Sequence, residues 1–353
     1  MTNLSLSNPV VSVLIRSCNR LSHVLEALEI CLGQDYDNYE IVVLDQSTEA
    51  HWENHKDAFD TLDSKVSVIR SKPLGCAGAR NVGVAHCKGD VVLFLDDDDL
   101  PVGRNWISAH AIHYTDPRCI GVSGRHLNRL NEGYRYKDRK RAYNRCLSYT
   151  FFIQGRTYTG IDEVKKPVQW LHGNNCSLRR STIIKLGGWY PHVATDNEEH
   201  SLYLKLQKTL KPGEYLMFDP EPKILRRFNI AGGAKRRSIS LHSLLTHRLQ
   251  FYHWVLREYY PIRFYGLYPL FILYSFLSLS RFFLKRVHIK DAFWVRMFGE
   301  KLGKYLYVFQ EIAVYPFLVL RFLIVKRPKW SGQLNSIPVW DGQIAIPEGE
   351  QVD

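Results

Sequence analysis

Five apolar residues, Val91 to Leu95, run directly into four consecutive carboxylates, Asp96, Asp97, Asp98 and Asp99. The apolar run reads as a buried strand, so the carboxylates fall at the end of an element with little water around it. Adjacent like charges in such a place raise one another's pKa unless a cation or hydrogen-bond donors compensate. Oxygen-only ligands suit a hard divalent ion, Mg2+ or Mn2+, and a phosphorylated substrate commonly completes its shell. The plainer alternative is a solvated acidic turn.

The segments before this stretch indicate which sheet it belongs to. Pro9 to Ile15 is a β-branched run that stops at Arg16-Ser17-Cys18-Asn19-Arg20. Ser22 then caps an expected helix with apolar positions Val24, Leu25, Leu28, Cys31 and Leu32, ending at Gly33. Tyr39 to Leu44 is a second strand that delivers Asp45, and Val66 to Arg70 is a third. Strand alternating with helix is the signature of a mostly parallel α/β sheet with right-handed crossovers, and such sheets bind ligands beyond the carboxyl ends of their strands. Three polar clusters lie at such ends: Arg16 to Arg20, Asp45 to Thr48, and Asp96 to Asp99.

A glycine-rich turn, Pro73 to Gly83, feeds a further short helix. Its Gly75, Gly78 and Gly83 do not make the dinucleotide fingerprint, and no Walker lysine follows. Arg80 on that helix is either a phosphate contact or an ordinary surface arginine. From Trp106 to about Tyr149 basic residues such as Arg125, Arg129, Arg135 and Arg141 break the apolar pattern, which predicts a substrate-side insertion or loop. Val168 to Arg179 reads as strand and turn, and Ser181 to Leu186 as a short helix closed by Gly187-Gly188. Asp196, Glu198 and Glu199 open another helix, where carboxylates also serve simply as favourable charges in the first turn.

Charge divides the chain. Residues 1–220 hold 27 Lys and Arg against 26 Asp and Glu, residues 221–330 hold 20 against 5, and residues 331–353 hold none against 4. This predicts a domain over 1–230, a basic helical membrane-associating region over 231–330 and an acidic tail over 331–353. Phe264 to Ser280 is uncharged, aromatic and flanked by Arg263 and Arg281, at the short end of what spans a bilayer; Tyr305 to Val325 is interrupted by Gln310, Glu311 and Arg321. Helices lying on an anionic membrane surface fit this pattern best. Seven cysteines, odd in number and in no CxxC pair, together with an N-terminus lacking an export signal, predict a cytoplasmic protein, peripheral on the inner membrane face.

Six blocks taken together resemble the family 2 glycosyltransferases of GT-A fold: Ile15 to Arg20, Glu40 to Thr48, Gly78 to Gly83, Leu95 to Leu100, Leu186 to Trp189, and Glu198-Glu199. The resemblance covers roughly residues 9–210. It implies a Rossmann-like, mostly parallel sheet flanked by helices, and an inverting transfer from a nucleotide-sugar donor to an acceptor hydroxyl. Ser17 and Asn19 would line the nucleotide pocket, Asp45 would accept a hydrogen bond from the base, and Arg80 would lie near the diphosphate. Asp96 and Asp98 match the DxD motif, Asp96 on the ribose side and Asp98 on the metal, with Asp97 or Asp99 assisting. Gly187, Gly188 and Trp189 match the wall of the acceptor site. Glu199 stands where the family usually carries an aspartate base; Glu198 and Asp196 are the alternatives. The QxxRW motif of processive members is absent, which favours single-sugar transfer. Lys235, Arg236 and Arg237 are further cations for the diphosphate, and His242 and His247 are unanchored candidates for the metal shell.

A hydroxyl acceptor, lipid-linked if the membrane reading holds, follows from this resemblance and points to surface polysaccharide, glycolipid or glycan assembly. A catalytically silent nucleotide-sugar-binding protein at the membrane is the competing reading. A nucleic-acid binder is disfavoured, because the basic residues interleave with long apolar runs and no nucleic-acid motif is present.

Overall fold

The computed structural model describes residues 8–127, 164–171, 173–190, 198–227, 241–251, 253, 257–259, 261–286, 293–324 and 334. Among the described residues nine strands form one sheet: β1 Val11–Ser17, β2 Tyr39–Asp45, β3 Val66–Arg70, β4 Val91–Asp96, β5 Asp99–Val102, β6 Cys119–Leu127, β7 Lys166–Val168, β8 Cys176–Arg179 and β9 Tyr215–Arg226. Their order is β3-β2-β1-β4-β8-β6-β9-β5, with β7 on β9. The first four are parallel; β8 then runs antiparallel to both β4 and β6, β9 is parallel to β6, and β5 and β7 are antiparallel to β9.

The parallel half follows directly from the apolar runs. Successive side chains on a strand face opposite ways, and β1 obeys this. Val11, Val13 and Ile15 join one apolar cluster with Leu21, Val24 and Leu28 of the helix Leu21–Leu32. Leu14 joins the other cluster with Val82 and Val84 of the helix Gly75–His86. Both faces of the sheet are therefore covered, as a parallel sheet requires. The strands at Val66–Arg70 and Tyr39–Asp45 and the Gly187-Gly188 helix stop fall where the sequence placed them; the two glycines have φ of +69° and +62°.

Three expectations need correction. Ser22 lies inside the first helix, which begins at Leu21 with Arg20 at its cap and no side-chain capping bond. Residues 106–127 are no loop: Trp106–Ala111 is a helix with buried Trp106, Ile107 and His110, and Cys119–Leu127 is an inner strand. The basic residues that broke the pattern begin at the strand's end, and Arg129 to Arg141 lie outside the described residues. Finally, β9 was not foreseen. It carries Pro220 and Pro222, and proline removes ladder donors and demotes a run to non-strand when read from sequence.

β9 is tied to its neighbours by Asp219, 1% exposed. One carboxylate oxygen accepts from His113 Nε2 at 2.6 Å and Lys165 Nζ at 2.8 Å, and the other from the Glu221 amide at 2.9 Å. Burial pushes its pKa up, but these hydrogen bonds outweigh burial and leave it at about 2. A depressed carboxylate stabilises the fold above its ordinary pKa, and that contribution is lost as pH falls toward the folded value. Asp219→Asn should therefore cost on the order of 2 kcal/mol near neutrality, read by denaturant titration. The deficit relative to wild type should shrink as pH is lowered from about 4 toward about 2.

Candidate active site at the carboxyl edge of the sheet

Register brings the polar strand ends together: Ser17 pairs with Asp45 across β1 and β2, and Arg16 with Asp96 across β1 and β4. Asp45 is fully buried. Its Oδ1 accepts from the Ser47 amide at 3.0 Å and from the Ser47 hydroxyl, while Oδ2 has no hydrogen bond among the described residues and stands 3.6 Å from Arg70 Nε. Burial raises the Asp45 pKa against these compensating groups. Asn19, at φ +55°, donates its amide to Ser47 Oγ at 2.7 Å and accepts the Thr48 amide on Oδ1 at 3.0 Å. The buried Ser17 hydroxyl also lacks a partner among the described residues. Ser17, Asn19 and Asp45 thus form one wall, with two buried polar atoms unsatisfied.

The four aspartates separate by environment. Asp96 pairs with Arg16. Burial raises its pKa, but Arg16, Arg80 and Arg226 outweigh that and hold the carboxyl below its usual range. Asp97 turns to Arg20, Nη1 to Oδ1 3.0 Å, and burial still pushes it up to about 6. Asp98 lies between Arg20 at 3.4 Å and Arg226 at 3.6 Å. Asp99, fully buried, accepts from Asn174 Nδ2, and burial followed by the charge of Asp96 raises its pKa well above the usual range.

Carboxylate oxygens of Asp96, Asp98 and Asp99 lie within 4.8 Å of one another. Two ligands on opposite sides of one Mg2+ are about 4.2 Å apart. A small side-chain adjustment therefore lets the three share a hard divalent cation, which matches their all-oxygen chemistry. Asp97 is outside that group.

Arg80 is buried, not the surface arginine of the alternative reading. It donates from Nη2 to the Gly173 carbonyl at 3.0 Å, approaches Glu199 Oε1 at 3.7 Å, and its guanidinium lies 5.7 Å from the Trp189 ring centroid. A side chain at Gly173 would have to displace both groups, since a Cβ would come within 1.9 Å of Glu199 Oε1 and 2.4 Å of Arg80 Nη2. Glu199 is in the first turn of the helix Glu198–Thr209, with its side chain one-third exposed. Arg80 thus joins the charge environment of Asp96 to Glu199. Asp196, Lys235, Arg236 and Arg237 lie outside the described residues.

Trp189 is buried edge-on to Phe94 at 5.4 Å, and Asn81 pins it by receiving its amide at 2.9 Å and donating to its carbonyl at 2.8 Å. Gly188 has no room for a side chain, since a Cβ would lie 2.3 Å from Asn81 Oδ1 and 2.4 Å from Leu334 Cδ2. His242, a candidate metal ligand by sequence, instead faces Glu311 at 3.2 Å.

Sequence reasoning assigned no role to Asn174, Asn175 or Arg226. Asn175, at φ +48°, is a buried junction. Its Oδ1 accepts from Trp106 Nε1 at 2.8 Å and lies 3.2 Å from His110 Nε2, and its Nδ2 donates to the carbonyls of Arg125 and Pro222. Burial pushes His110 down to about 4, so a neutral ring completes the network. The consecutive amides in Gly173-Asn174-Asn175-Cys176 were the available signal, because buried amides need partners on every side.

Residues 12–187 match the family model described as glycosyl transferase family 2. The chain carries a family 2 glycosyltransferase domain. An uncharacterized glycosyltransferase of Rickettsia bellii is 31% identical over 146 residues, 38% of this chain and 20% of the relative. The glucosyl-dolichyl phosphate glucuronosyltransferase of Haloferax volcanii is 24% identical over 191 residues, 54% of this chain and 58% of the relative. The chain therefore spans only part of the length of these curated relatives. Among solved structures, GalNAc-T7, crystallised with UDP, GalNAc and Mn2+, superposes with a TM-score of 0.52 at 18% identity, over 72% of this chain and 49% of that one. The fold of this family 2 domain is accordingly the GT-A arrangement, a mixed α/β sheet with a helical C-terminal segment.

Removing the Asn175 side chain strands several buried groups at once. Asn175→Ala should lower stability by about 3 kcal/mol or more, measured as a reduced denaturant midpoint, with the loss extending to the Asp99 side of the site.

Proposed function

We propose that this domain is an inverting transferase that moves a single sugar from a nucleoside-diphosphate sugar to an acceptor hydroxyl. One observation carries the reading. The buried Arg80 guanidinium lies 3.7 Å from Glu199 and its charge also acts on Asp96, which sets the base-type carboxylate and the metal-type carboxylates around one cation.

In this reading Asp45, Ser17 and Asn19 bind the nucleoside, and the unsatisfied Asp45 Oδ2 and Ser17 Oγ take its donors and acceptors. Asp96 faces the ribose. Asp98, with Asp96 and Asp99 beside it, holds Mg2+ or Mn2+, which when bound neutralises charge growing on the diphosphate. Asp97 stays paired with Arg20 and shapes the nucleotide side. Glu199 accepts the proton of the acceptor hydroxyl as that oxygen bonds to the anomeric carbon and the carbon–diphosphate bond breaks. The oxyanion released is a nucleoside diphosphate, whose charge Arg80 would help to offset. Gly188 and Trp189 form the acceptor-side wall. The acceptor is a lipid-linked hydroxyl compound in this proposal, the class to which the glucosyl-dolichyl phosphate in the name of the Haloferax relative belongs.

Two variants separate the roles. With Mn2+ present, UDP or GDP should raise the thermal midpoint of the wild type, since a ligand selective for the folded state stabilises it. Asp98→Asn should abolish the metal-dependent part of that shift. Glu199→Gln should retain the shift and lose about a hundredfold or more of transfer. Unchanged transfer in Glu199→Gln would remove Glu199 from the mechanism. Nucleotide binding without transfer to any acceptor would instead mark a silent binding protein.

A further inference from the structure

The two long C-terminal helices, Pro261–Arg286 and Phe293–Ile324, are apolar on the exposed side as well as on the buried side, unlike an ordinary surface helix. Of the 21 large hydrophobic residues that are exposed among the described residues, 16 belong to these two helices. On the second they fall at 302, 305, 309, 312, 317 and 320, near helical spacing, as Leu302, Tyr305, Phe309, Ile312, Phe317 and Leu320, with Phe309 and Phe317 about three-quarters exposed. The opposite face, packed on the protein, holds Lys304 and Glu311, 7% and 3% exposed, each with a charged or titratable partner: Glu300 for Lys304 and His242 for Glu311. That inward face is otherwise apolar, with Tyr315, Leu318 and Phe322 buried, so the helix carries hydrocarbon on both its inward and its outward side. On the first helix Leu270, Leu273 and Leu277 are more than half exposed, whereas Phe264, Phe271 and Phe283 are buried.

We propose that the outward faces of these two helices form a docking surface that lies in the headgroup and acyl boundary of an anionic bilayer. Water leaves a face of this size unsatisfied, because contiguous exposed apolar surface marks an interaction site. The charge of the segment chooses the occupant. Residues 221–330 carry 20 Lys and Arg against 5 Asp and Glu, which suits anionic headgroups and would repel a second copy of the same face. Arg281, Lys301 and Arg321 are exposed on the same helices, and by helical spacing Gln310 and Arg321 fall at the edge of the apolar stripe, where a long side chain reaches headgroups while its stem stays in hydrocarbon.

The helices lie in the boundary and do not cross it. Met297–Ile324 is long and apolar enough to span by length and composition, but only one side is apolar and exposed. The other side packs on the protein through Tyr315, Leu318 and Phe322 and also holds the buried Lys304 and Glu311, and charge inside a spanning helix is costly. Gly299, at φ +77°, breaks this helix near its start, and that bend lets the helix follow a surface.

The proposal is independent of the transferase reading, and its test reads binding alone. The full chain is floated with preformed vesicles of phosphatidylcholine, with or without phosphatidylglycerol, at low and high salt. It should float with the anionic vesicles, float poorly with the neutral ones, and keep part of its binding at high salt because the apolar contribution is not screened. Phe309→Asp combined with Leu320→Asp should weaken binding about tenfold or more. Both positions are exposed, so the thermal midpoint should not move. Phe317→Ala should weaken binding less. Protein bound to labelled vesicles should exchange onto excess unlabelled ones. Absence of flotation, flotation unaffected by the double variant, failure to exchange (the mark of a spanning helix), or a vesicle-free dimer that the double variant dissociates would each overturn the proposal.

Discussion

Four carboxylates at the end of a buried strand are tolerable only because cations and amides from other elements are set against them. Arg16 comes from β1, Arg20 from the turn beyond it, Arg226 from the end of β9, and Asn174 from the segment before β8. Each partner is delivered by a different part of the sheet. The order of strands is therefore coupled to the electrostatics of the edge: the β1–β4 register places Arg16 beside Asp96, and the β5–β9 register places Arg226 opposite Asp99. A charged ligand entering here meets a balanced field, with anionic and cationic groups interleaved, as a metal and a diphosphate together require.

Much of this is legible in the residues alone. β1 to β4 are short apolar runs ended by polar residues, and that pattern has few other solutions in a parallel sheet. The acidic stretch, Asp45, Arg80 and Glu199 are all marked by residue type and position, and the fold brings them to one edge. The remainder is hidden for specific reasons. β5 contains an aspartate and a proline in four residues, β9 contains two prolines, and β6 contains two glycines; each violates strand propensity while pairing and packing override it. Arg226 cannot be assigned while its strand is unrecognised. Asn175 cannot be assigned because its partners, Trp106, His110, Arg125 and Pro222, are scattered through the chain and only the fold collects them.

The helical segment shows the opposite limit. Composition alone locates the apolar and basic character, yet which side faces outward depends on what the helices pack against. Glu311 reads as an interruption of an apolar helix, and in the fold it is buried on the inward face with Tyr315, Leu318 and Phe322. Leu334, within the acidic tail by sequence, is seated against the Gly188 turn. Leu334 thus touches the domain at the wall assigned to the acceptor.

The sheet order also sets a timetable for the nascent chain. β3, β2, β1 and β4 pair only with one another until β8 appears, so a four-stranded parallel core is available once Asp96 has been made. β5 follows immediately in the chain but pairs with β9, which begins at Tyr215. Asp99 therefore leaves the ribosome beside its neighbours and waits for most of the domain before its strand has a place. Pairings of such long sequence separation form late and slowly. Completing the acidic edge thus depends on β9, the strand of this sheet most distant in sequence from β4 and β5.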